Sequence, residues 1–335
     1  MSQPSGARKR SEKEIQARKR RRRKKRIYRY VSRTMLCILT AVVVLLVGAY
    51  SLLGVIFLGP SQTFADQLTM TLLETSAAKF VPTLYYSSLE MELIRERNRV
   101  IEPEEITDAS LLNFNQTNED AADEEGEEDE TAADIVVEEI TGPTYHGWMM
   151  IVQDPSRVML GVSQEKFNKK DRGMRIAEMA QKYEAVAAIN GGAFWDDGGS
   201  GNGGMPKGLT ISEGKIRVYE KDSSLTTAGF TEDNVLVVGR FTEEEAMRLG
   251  IRDACSFGPA LVVNNEPAQV AGASSGLNPR TAIGQRADGA VLMLVIDGRQ
   301  VNSPGASMAD LVEIMVRYGA VNACNLDGGS SSNMY

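Results

Sequence analysis

The chain is poor in histidine and cysteine. Its 335 residues include one histidine, His146, and three cysteines. This composition argues against a zinc site built from cysteine and histidine ligands. It also argues against a serine triad, because the one histidine lies at the start of the predicted folded domain. Cys255 and Cys324 could form an extracellular disulfide, but we interpret them as buried free thiols.

Acidic residues are scarce at the N-terminus, and basic residues are absent from a later stretch. Residues 1–34 carry 15 Lys/Arg and 2 Asp/Glu, a net charge of +13, whereas the other 301 residues carry a net charge of −21. Residues 102–139 contain 16 Asp/Glu and no Lys or Arg. This split predicts two environments along one chain and argues against a soluble cytosolic enzyme.

Residues 35–58 lack charged side chains altogether. As a helix, these 24 residues would span about 36 Å, compared with about 30 Å of bilayer hydrocarbon. The run is longer than the core of about 7–15 residues that signal peptides use. A weak cleavage-like sequence at 63–65 leaves a cleaved signal as the alternative. We interpret the run as a retained transmembrane helix.

The basic segment 1–34 lies directly against this run. Positive charge tends to stay on the cytoplasmic side, so we expect a cytoplasmic N-terminus and an exported C-terminal part at the cell membrane. Binding of nucleic acid or anionic lipid is the alternative role for these charges. Because the charges adjoin the span, we favour topology determination. We therefore expect the lipid bilayer as a partner and no nucleic acid.

Two segments separate the predicted transmembrane helix from the folded domain. Residues 59–101 have apolar side chains at irregular helical spacing, which predicts a juxtamembrane helical stalk. Residues 102–140 combine like charges with few apolar side chains, so we expect an acidic, disordered linker. Calcium binding by this linker is the less favoured alternative.

Residues 141–335 have the pattern of an α+β (mixed α/β) domain, because strand-like runs dominate and helices are interspersed. A helix is predicted at 171–183, and capping boxes at Thr242/Glu245 and Ser307/Asp310 each predict the start of another. Strands are predicted at 147–152, 157–162, 185–189, 209–211, 216–219, 235–238, 260–263 and 290–296.

A glycine-rich loop follows one of these strands. Eight of the nineteen residues at 190–208 are glycine, and Phe194 and Trp195 lie among them. Such glycine density permits positive φ angles and close approach of a ligand, and consecutive amides suit oxyanions. A flexible surface loop is the competing interpretation.

Two apolar runs end in Asp-Gly, at Asp297 and Asp327. Carboxylates at strand ends are well placed for catalysis, and a pair of carboxylates is the usual equipment of glycoside hydrolysis. Each Asp-Gly by itself also fits an ordinary turn. Arg280 follows a proline turn, where its planar fork suits phosphate or carboxylate. Their coincidence with the glycine-rich loop predicts a site.

The motifs taken together resemble a known family. In order along 141–335 they are NGGAFW…MPKGLTISEGKI, FGPALVVNNEP, NPRTAIGQRADGAVLMLVIDGR and SMADLVEIMVRYGAVNACNLDGGSSSNM. This region resembles the phosphodiester glycosidase family, which includes N-acetylglucosamine-1-phosphodiester α-N-acetylglucosaminidase-like enzymes and bacterial proteins of the exopolysaccharide biosynthesis type. The resemblance implies hydrolysis of a sugar-1-phosphodiester, with release of the sugar.

The resemblance also implies site residues. Asp297 and Asp327 are the catalytic candidates, either of which would stabilise an oxocarbenium-like state or activate water. Arg280, with Arg299 and loop amides, would bind the phosphodiester and stabilise the departing phosphate. The full set of implied substrate-binding residues is Asn190, Gly191, Gly192, Arg280, Thr281, Arg299, Gly328, Gly329 and Ser330.

Four expectations remain from the sequence. The expected substrates are envelope glycans with sugar-phosphate links, and a non-catalytic sugar-phosphate or polysaccharide-binding module that scaffolds envelope assembly is the alternative. The residues indicate no particular cofactor with certainty, although a divalent cation could be gathered by Asp196, Asp197, Asp297 and Asp327. Family domains continue beyond the DGGS motif, so we expect the chain, which reaches Tyr335, to be C-terminally truncated.

Overall fold

The structure, a computed structural model, describes residues 12–75, 77–104, 107–112, 135–196, 201–273 and 275–335. The chain divides into two compact units, Met1–Gly59 and Pro60–Tyr335. The first unit contains one continuous helix, α1 (Glu12–Phe57). Within the described residues this is the one helix long and apolar enough to cross a membrane, as a membrane anchor or a signal sequence would be.

The second unit is a mixed α+β fold, as predicted. Its helices are α2 (Gln62–Leu73), α3 (Ser88–Arg97), α4 (Ile176–Lys182), α5 (Glu243–Arg248) and α6 (Met308–Arg317). Its strands are β1 (Val100–Ile101), β2 (Ile135–Thr141), β3 (His146–Val152), β4 (Leu209–Ser212), β5 (Lys215–Tyr219), β6 (Thr226–Thr231), β7 (Leu236–Gly239), β8 (Ile251–Phe257), β9 (Ala260–Val263), β10 (Glu266–Pro267), β11 (Gln269–Val270), β12 (Arg280–Arg286), β13 (Val291–Ile296) and β14 (Ala320–Leu326).

Two antiparallel sheets carry the fold. The larger has the order β10-β9-β14-β12-β13-β3-β2, and the smaller has the order β5-β4-β8-β6-β7. The apolar face of α6 packs on one side of the larger sheet, with Leu311 and Met315 fully buried there. The opposite side contributes Met150 and Cys324 to a second apolar cluster, which Phe230 of the smaller sheet joins. The sheets are therefore layered around a shared core.

Both predicted capping boxes are confirmed. Thr242 accepts a hydrogen bond from the amide of Glu245 at the start of α5, and Ser307 does the same for Asp310 at the start of α6. The predicted strands at 157–162 and 185–189 are wrong. These residues line a cavity, and of the second segment Ile189 alone forms a bridge, with Met334.

The predicted stalk differs from the observed structure. The side chain of Asp66 in α2 accepts hydrogen bonds from Arg97 and Asn98, so α2 and α3 are tied together. The Asn98 Oδ1 atom in turn accepts from the amide of Ala273, at 2.6 Å. Strand β1 pairs with β11. Residues 60–101 are consequently part of the folded unit, because buried polar contacts and strand pairing hold them to it.

The predicted linker at 102–140 is part of the folded unit at both of its ends. Strand β2 begins at Ile135 and pairs with β3 along its whole length, so the sheet starts before residue 141. At the other end, Glu102 Oε2 accepts hydrogen bonds from Thr226 Oγ1 at 2.5 Å and from the Ala260 amide at 2.9 Å. Residues 113–134, which hold most of the acidic run, lie outside the described residues.

This role for Glu102 predicts a loss of stability on its removal. We expect Glu102→Ala to lower the free energy of unfolding by about 2–3 kcal/mol, because the buried amide of Ala260 loses its partner. Glu104→Ala, which removes the same group at an exposed position two residues on, is the control, with an expected change below about 0.5 kcal/mol. Equal denaturant midpoints for the two variants would show that residue 102 is a linker residue.

Candidate active site

Three strand ends meet at one edge of the larger sheet. Arg280, the first residue of β12, pairs with Ile296 at the end of β13. Its neighbour Thr281 pairs with Leu326 at the end of β14. Both Asp-Gly turns therefore lie beside the start of β12, because β12 runs antiparallel to each neighbour. The adjacency of these motifs, expected from their strand-end positions, follows from this strand order.

Asp327 is held at that edge by its own turn and by the glycine-rich loop. Its amide donates to the carbonyl of Gly191 at 3.0 Å. Its carboxylate accepts hydrogen bonds from the Ser331 side chain and the Gly328 amide. Burial raises the pKa of Asp327 to about 6, the carboxylate of Asp196 adds to the rise, and the two hydrogen bonds oppose it. A carboxyl with this pKa exchanges its proton near neutral pH.

Asn190 ties three segments together around Asp327. Its Nδ2 donates to the Asp327 carbonyl at 2.6 Å, and its Oδ1 accepts from Thr281 Oγ1 at 2.8 Å and from the Asn333 amide at 3.0 Å. The amide side chain thereby uses both its donor and its acceptor group on groups distant in sequence. It fixes where the Asp327 turn sits relative to β12.

Two glycines permit this close assembly. A Cβ atom on Gly192 would lie 2.9 Å from the carbonyl oxygen of Ser256, and one on Gly328 would lie 2.9 Å from the carbonyl oxygen of Pro279. Both are contacts with backbone, which cannot swing away. Gly192 and Gly328 thus allow the backbone segments of the site to lie close together.

Asp327 opens onto a cavity of about 1120 Å³ between the two sheets. Apolar, aromatic, amide and basic side chains share its lining, among them Asn190, Phe194, Tyr183, Arg172 and Arg175. A cavity of this size, with a few converging polar groups, has the features of a small-molecule or polymer-end site.

Arg299 reaches from one Asp-Gly turn to the other. Its backbone has φ = 59°, a left-handed conformation that a non-glycine residue adopts at a cost. Its guanidinium donates to Asn278 Oδ1 at 3.3 Å and lies over Gly329, where a Cβ atom would come within 3.2 Å of Nη2. The residue is exposed. Arg299 is therefore a cation available to an anion at the DGGS turn.

The family model of phosphodiester glycosidases matches residues 183–335, which contain the Asp327 turn, the glycine-rich loop and Arg299. This region belongs to the phosphodiester glycosidase family. A curated relative, the SPbeta prophage-derived uncharacterized protein YomE of Bacillus subtilis (strain 168), is 32% identical over 167 residues. That alignment covers 47% of this chain and 25% of the relative, so the chain spans about a quarter of that protein's length.

Two solved structures are similar at lower identity. The zebrafish N-acetylglucosamine-1-phosphodiester alpha-N-acetylglucosaminidase catalytic domain, auto-inhibited by its pro-peptide, has a TM-score of 0.45 and 21% identity, covering 60% of this chain and 71% of that one. A putative exported protein of Burkholderia pseudomallei K96243 has a TM-score of 0.42 and 16% identity, covering 57% of this chain and 69% of that one.

Within this phosphodiester glycosidase region, Arg280 is engaged by other groups of this chain. It is buried, and its guanidinium pairs with Glu74 at 2.9 Å. The same guanidinium donates to the carbonyls of Ala306 and Gly276 and, at 2.7 Å, to Ser275 Oγ. Arg280 thereby joins the C-terminal end of α2 to the sheet edge, and its role in phosphate binding stays a prediction.

The side chains of Thr281 and Asp297 are also used in hydrogen bonds within the chain. Thr281 is fully buried, and its hydroxyl donates a hydrogen bond to Asn190 Oδ1. The carboxylate of Asp297 is used within its own turn, where it accepts hydrogen bonds from the Gly298 amide at 2.8 Å and from Gln300 Nε2 at 2.5 Å. Of the two catalytic candidates, Asp327 is the one that lines the cavity. Its catalytic role stays a prediction.

The remaining predicted residues lie at the DGGS turn. Gly329 has φ = 62°, and its amide donates to the Pro279 carbonyl at 2.9 Å. Ser330 is exposed, whereas its neighbour Ser331 is the serine that contacts Asp327. Ser331 contacts Asp327 because the turn after Gly328 is helical, and substrate binding by Ser330 stays a prediction.

Three side chains near the site were missed. Glu74 has no signal in the sequence, because its partner Arg280 lies more than two hundred residues away. Lys207 Nζ lies 4.9 Å and Lys169 Nζ 3.5 Å from the ring centroid of Trp195. Lys207 stands in the MPKG motif, and Lys169 in a basic run, KFNKKDRGMR, so composition could have indicated both.

No metal site is evident in the described part of the chain, where no group of three or more His, Cys, Asp or Glu side chains is placed to hold an ion. Asp197, one of the four carboxylates considered, lies outside the described residues.

Cys255 and Cys324 are free thiols, and burial raises the pKa of Cys255 to about 12. Such thiols are poor nucleophiles.

Proposed function

We propose that the protein is a membrane-anchored hydrolase that cleaves sugar-1-phosphodiester linkages of envelope glycans outside the cell. The observation that carries the proposal is Asp327, a carboxyl with a pKa of about 6 lining a large cavity inside a phosphodiester glycosidase region. Support for the location comes from the basic segment before α1, which favours a cytoplasmic N-terminus.

The reaction needs one carboxylate and one anion-binding group. Ionised Asp327 takes a proton from water as the water oxygen attacks the anomeric carbon. The bond between that carbon and the phosphate oxygen breaks, and its electron pair leaves with the phosphate. Arg299 stabilises the charge that develops there. Because a phosphate leaves readily, no second carboxyl is needed to protonate it, which agrees with the closed turn of Asp297.

The direct test uses the full chain in detergent micelles with UDP-N-acetylglucosamine and a panel of other sugar-1-phosphodiesters. Free reducing sugar is measured for the parent, for Asp327→Asn and for Asp297→Asn. We expect release by the parent, loss in Asp327→Asn, and retention in Asp297→Asn. Binding across the panel without any release of sugar would instead support the non-catalytic binding module.

Two neighbouring serines allow a test of the pKa of Asp327, because Ser331 contacts its carboxylate and Ser330 is exposed. The Ser331 hydrogen bond lowers the pKa of Asp327, so Ser331→Ala raises it further. Because the ionised carboxylate is the active form, we expect the midpoint of the kcat/KM profile to move to higher pH. Ser330→Ala, at the exposed neighbour, leaves the midpoint unchanged. A profile that is identical in both variants would place the titrating group elsewhere.

A further inference from the structure

A basic surface lies at the rim of the Asp327 cavity. We call residues 166–175 the basic loop, because they contain five cations and one acid in a chain whose last 301 residues have a net charge of −21. All five cations are exposed: Lys166, Lys169, Lys170, Arg172 and Arg175. None of them forms a salt bridge with another described residue. Their charge is available to a partner.

The basic loop is fixed against the glycine-rich loop. The Gly173 amide donates to the Asn202 carbonyl at 2.8 Å, and Asn202 Nδ2 donates to the Lys169 carbonyl at 3.1 Å. A Cβ atom on Gly204 would lie 1.7 Å from the Asp171 carbonyl oxygen, so the two backbones are in direct contact. The backbone of the basic loop is thus held in place, so its cations lie on a defined surface.

That surface is continuous with the site. Lys169 and Lys207 both approach the indole of Trp195. The Lys207 amide donates to the Ala193 carbonyl at 2.9 Å, and Ala193 follows the glycine pair that holds Asp327. Arg172 and Arg175 line the same cavity as Asp327. An aromatic face flanked by ammonium groups suits a substrate that alternates sugar and phosphate.

From this geometry we infer that the basic loop, with Trp195 and Lys207, binds an anionic glycan chain carrying several phosphates and feeds its end to Asp327. The inference rests on the proposed function and narrows its substrate class to polyanionic polymers. One phosphodiester needs one cation at the cleaved bond, which Arg299 supplies. The five further exposed cations at the rim match a substrate in which further phosphates follow along the chain.

The test compares two triple variants of the full chain in phosphatidylcholine nanodiscs. Lys166→Gln/Lys169→Gln/Lys170→Gln removes three charges from the basic loop. Lys215→Gln/Lys221→Gln/Arg248→Gln removes three exposed charges elsewhere and is the matched control. The probe is purified poly(glycerol phosphate) teichoic acid, with dextran as the neutral glycan. The N-terminal basic segment is the same in both variants, so it cancels in the comparison.

We expect the loop triple to bind the polymer about tenfold more weakly at low salt, with a shallower salt dependence, and the control to bind within about twofold of the parent. A second readout uses Trp148→Phe, which leaves Trp195 as the one tryptophan. We expect the polymer, but not dextran, to change the fluorescence of Trp195, and we expect the loop substitutions to abolish that change.

Equal binding by both triples overturns the inference. So does binding of oligothymidylate or phosphatidylglycerol vesicles as tight as that of the polymer and equally dependent on the loop, because the surface would then recognise charge alone. Polymer binding through the loop without release of sugar from any substrate overturns the proposed function and leaves the inference intact. Release of sugar from UDP-N-acetylglucosamine, together with polymer binding that does not depend on the loop, overturns the inference and leaves the proposed function intact.

Discussion

Replacement of Asp327 by asparagine is expected to lower kcat/KM for a sugar-1-phosphodiester by about a thousandfold, the contribution typical of a positioned acid–base group. The parent's kcat/KM is expected to rise with pH through a midpoint near 6, because burial raises the pKa of Asp327 to that value and the ionised form is the active one. Initial rates of reducing-sugar release between pH 4.5 and 8 measure both. A profile that falls through pH 6 would make Asp327 a general acid instead.

The same substitution is expected to stabilise the protein at neutral pH. A carboxyl whose pKa is raised on folding contributes stability that is complete below its unfolded pKa and is lost as pH rises through the folded pKa, here between about 4 and 6. Asparagine carries no charge, so Asp327→Asn avoids that loss and gains about 1–2 kcal/mol above pH 7. Chemical denaturation at pH 4 and pH 7.5 tests this, with Asp297→Asn as the control. A variant that is inactive because it is unfolded would show the opposite change.

The second large effect is expected at Arg280. Arg280→Met removes the cation that pairs with Glu74 and takes the donor away from the carbonyls of Ser275 and Gly276, so we expect the free energy of unfolding to fall by about 3–5 kcal/mol. Combining it with Glu74→Gln is expected to recover about 1 kcal/mol of that loss, because no unpaired charge remains. Denaturant unfolding of the single and double variants measures the coupling.

Arg299→Met is the matched control, since it makes the same chemical change at an exposed arginine 19 positions later in the sequence. We expect its stability to change by less than about 1 kcal/mol and its kcat/KM to fall by about a hundredfold, because the charge on the departing phosphate loses its cation. If Arg280→Met instead kept full stability and lost activity, Arg280 would contact the substrate and Glu74 would be a displaceable stand-in for it.

Local features of the chain were predictable because they depend on residues a few positions apart. The uncharged run at 35–58, both capping boxes, the α+β class and the Asp-Gly turns are of this kind. The family resemblance assigns the NGG and DGGS motifs to one site, and the structure joins them through Asn190 and Asp327. The predicted strand at 185–189 was wrong because, among the described residues, its backbone pairing is confined to its last two residues, where Ala188 exchanges two hydrogen bonds with Tyr335 and Ile189 bridges Met334.

The apolar N-terminal helix, the fold class and the motifs of the site follow from the residue pattern alone. Packing between distant segments selects which of two carboxylates faces the cavity, which of two arginines is exposed and which serine reaches Asp327. It also decided that residues 60–101 belong to the folded unit, through Glu74 and Asn98. These choices depend on burial and on hydrogen bonds between residues far apart in sequence, and neither spacing nor residue type carries that information.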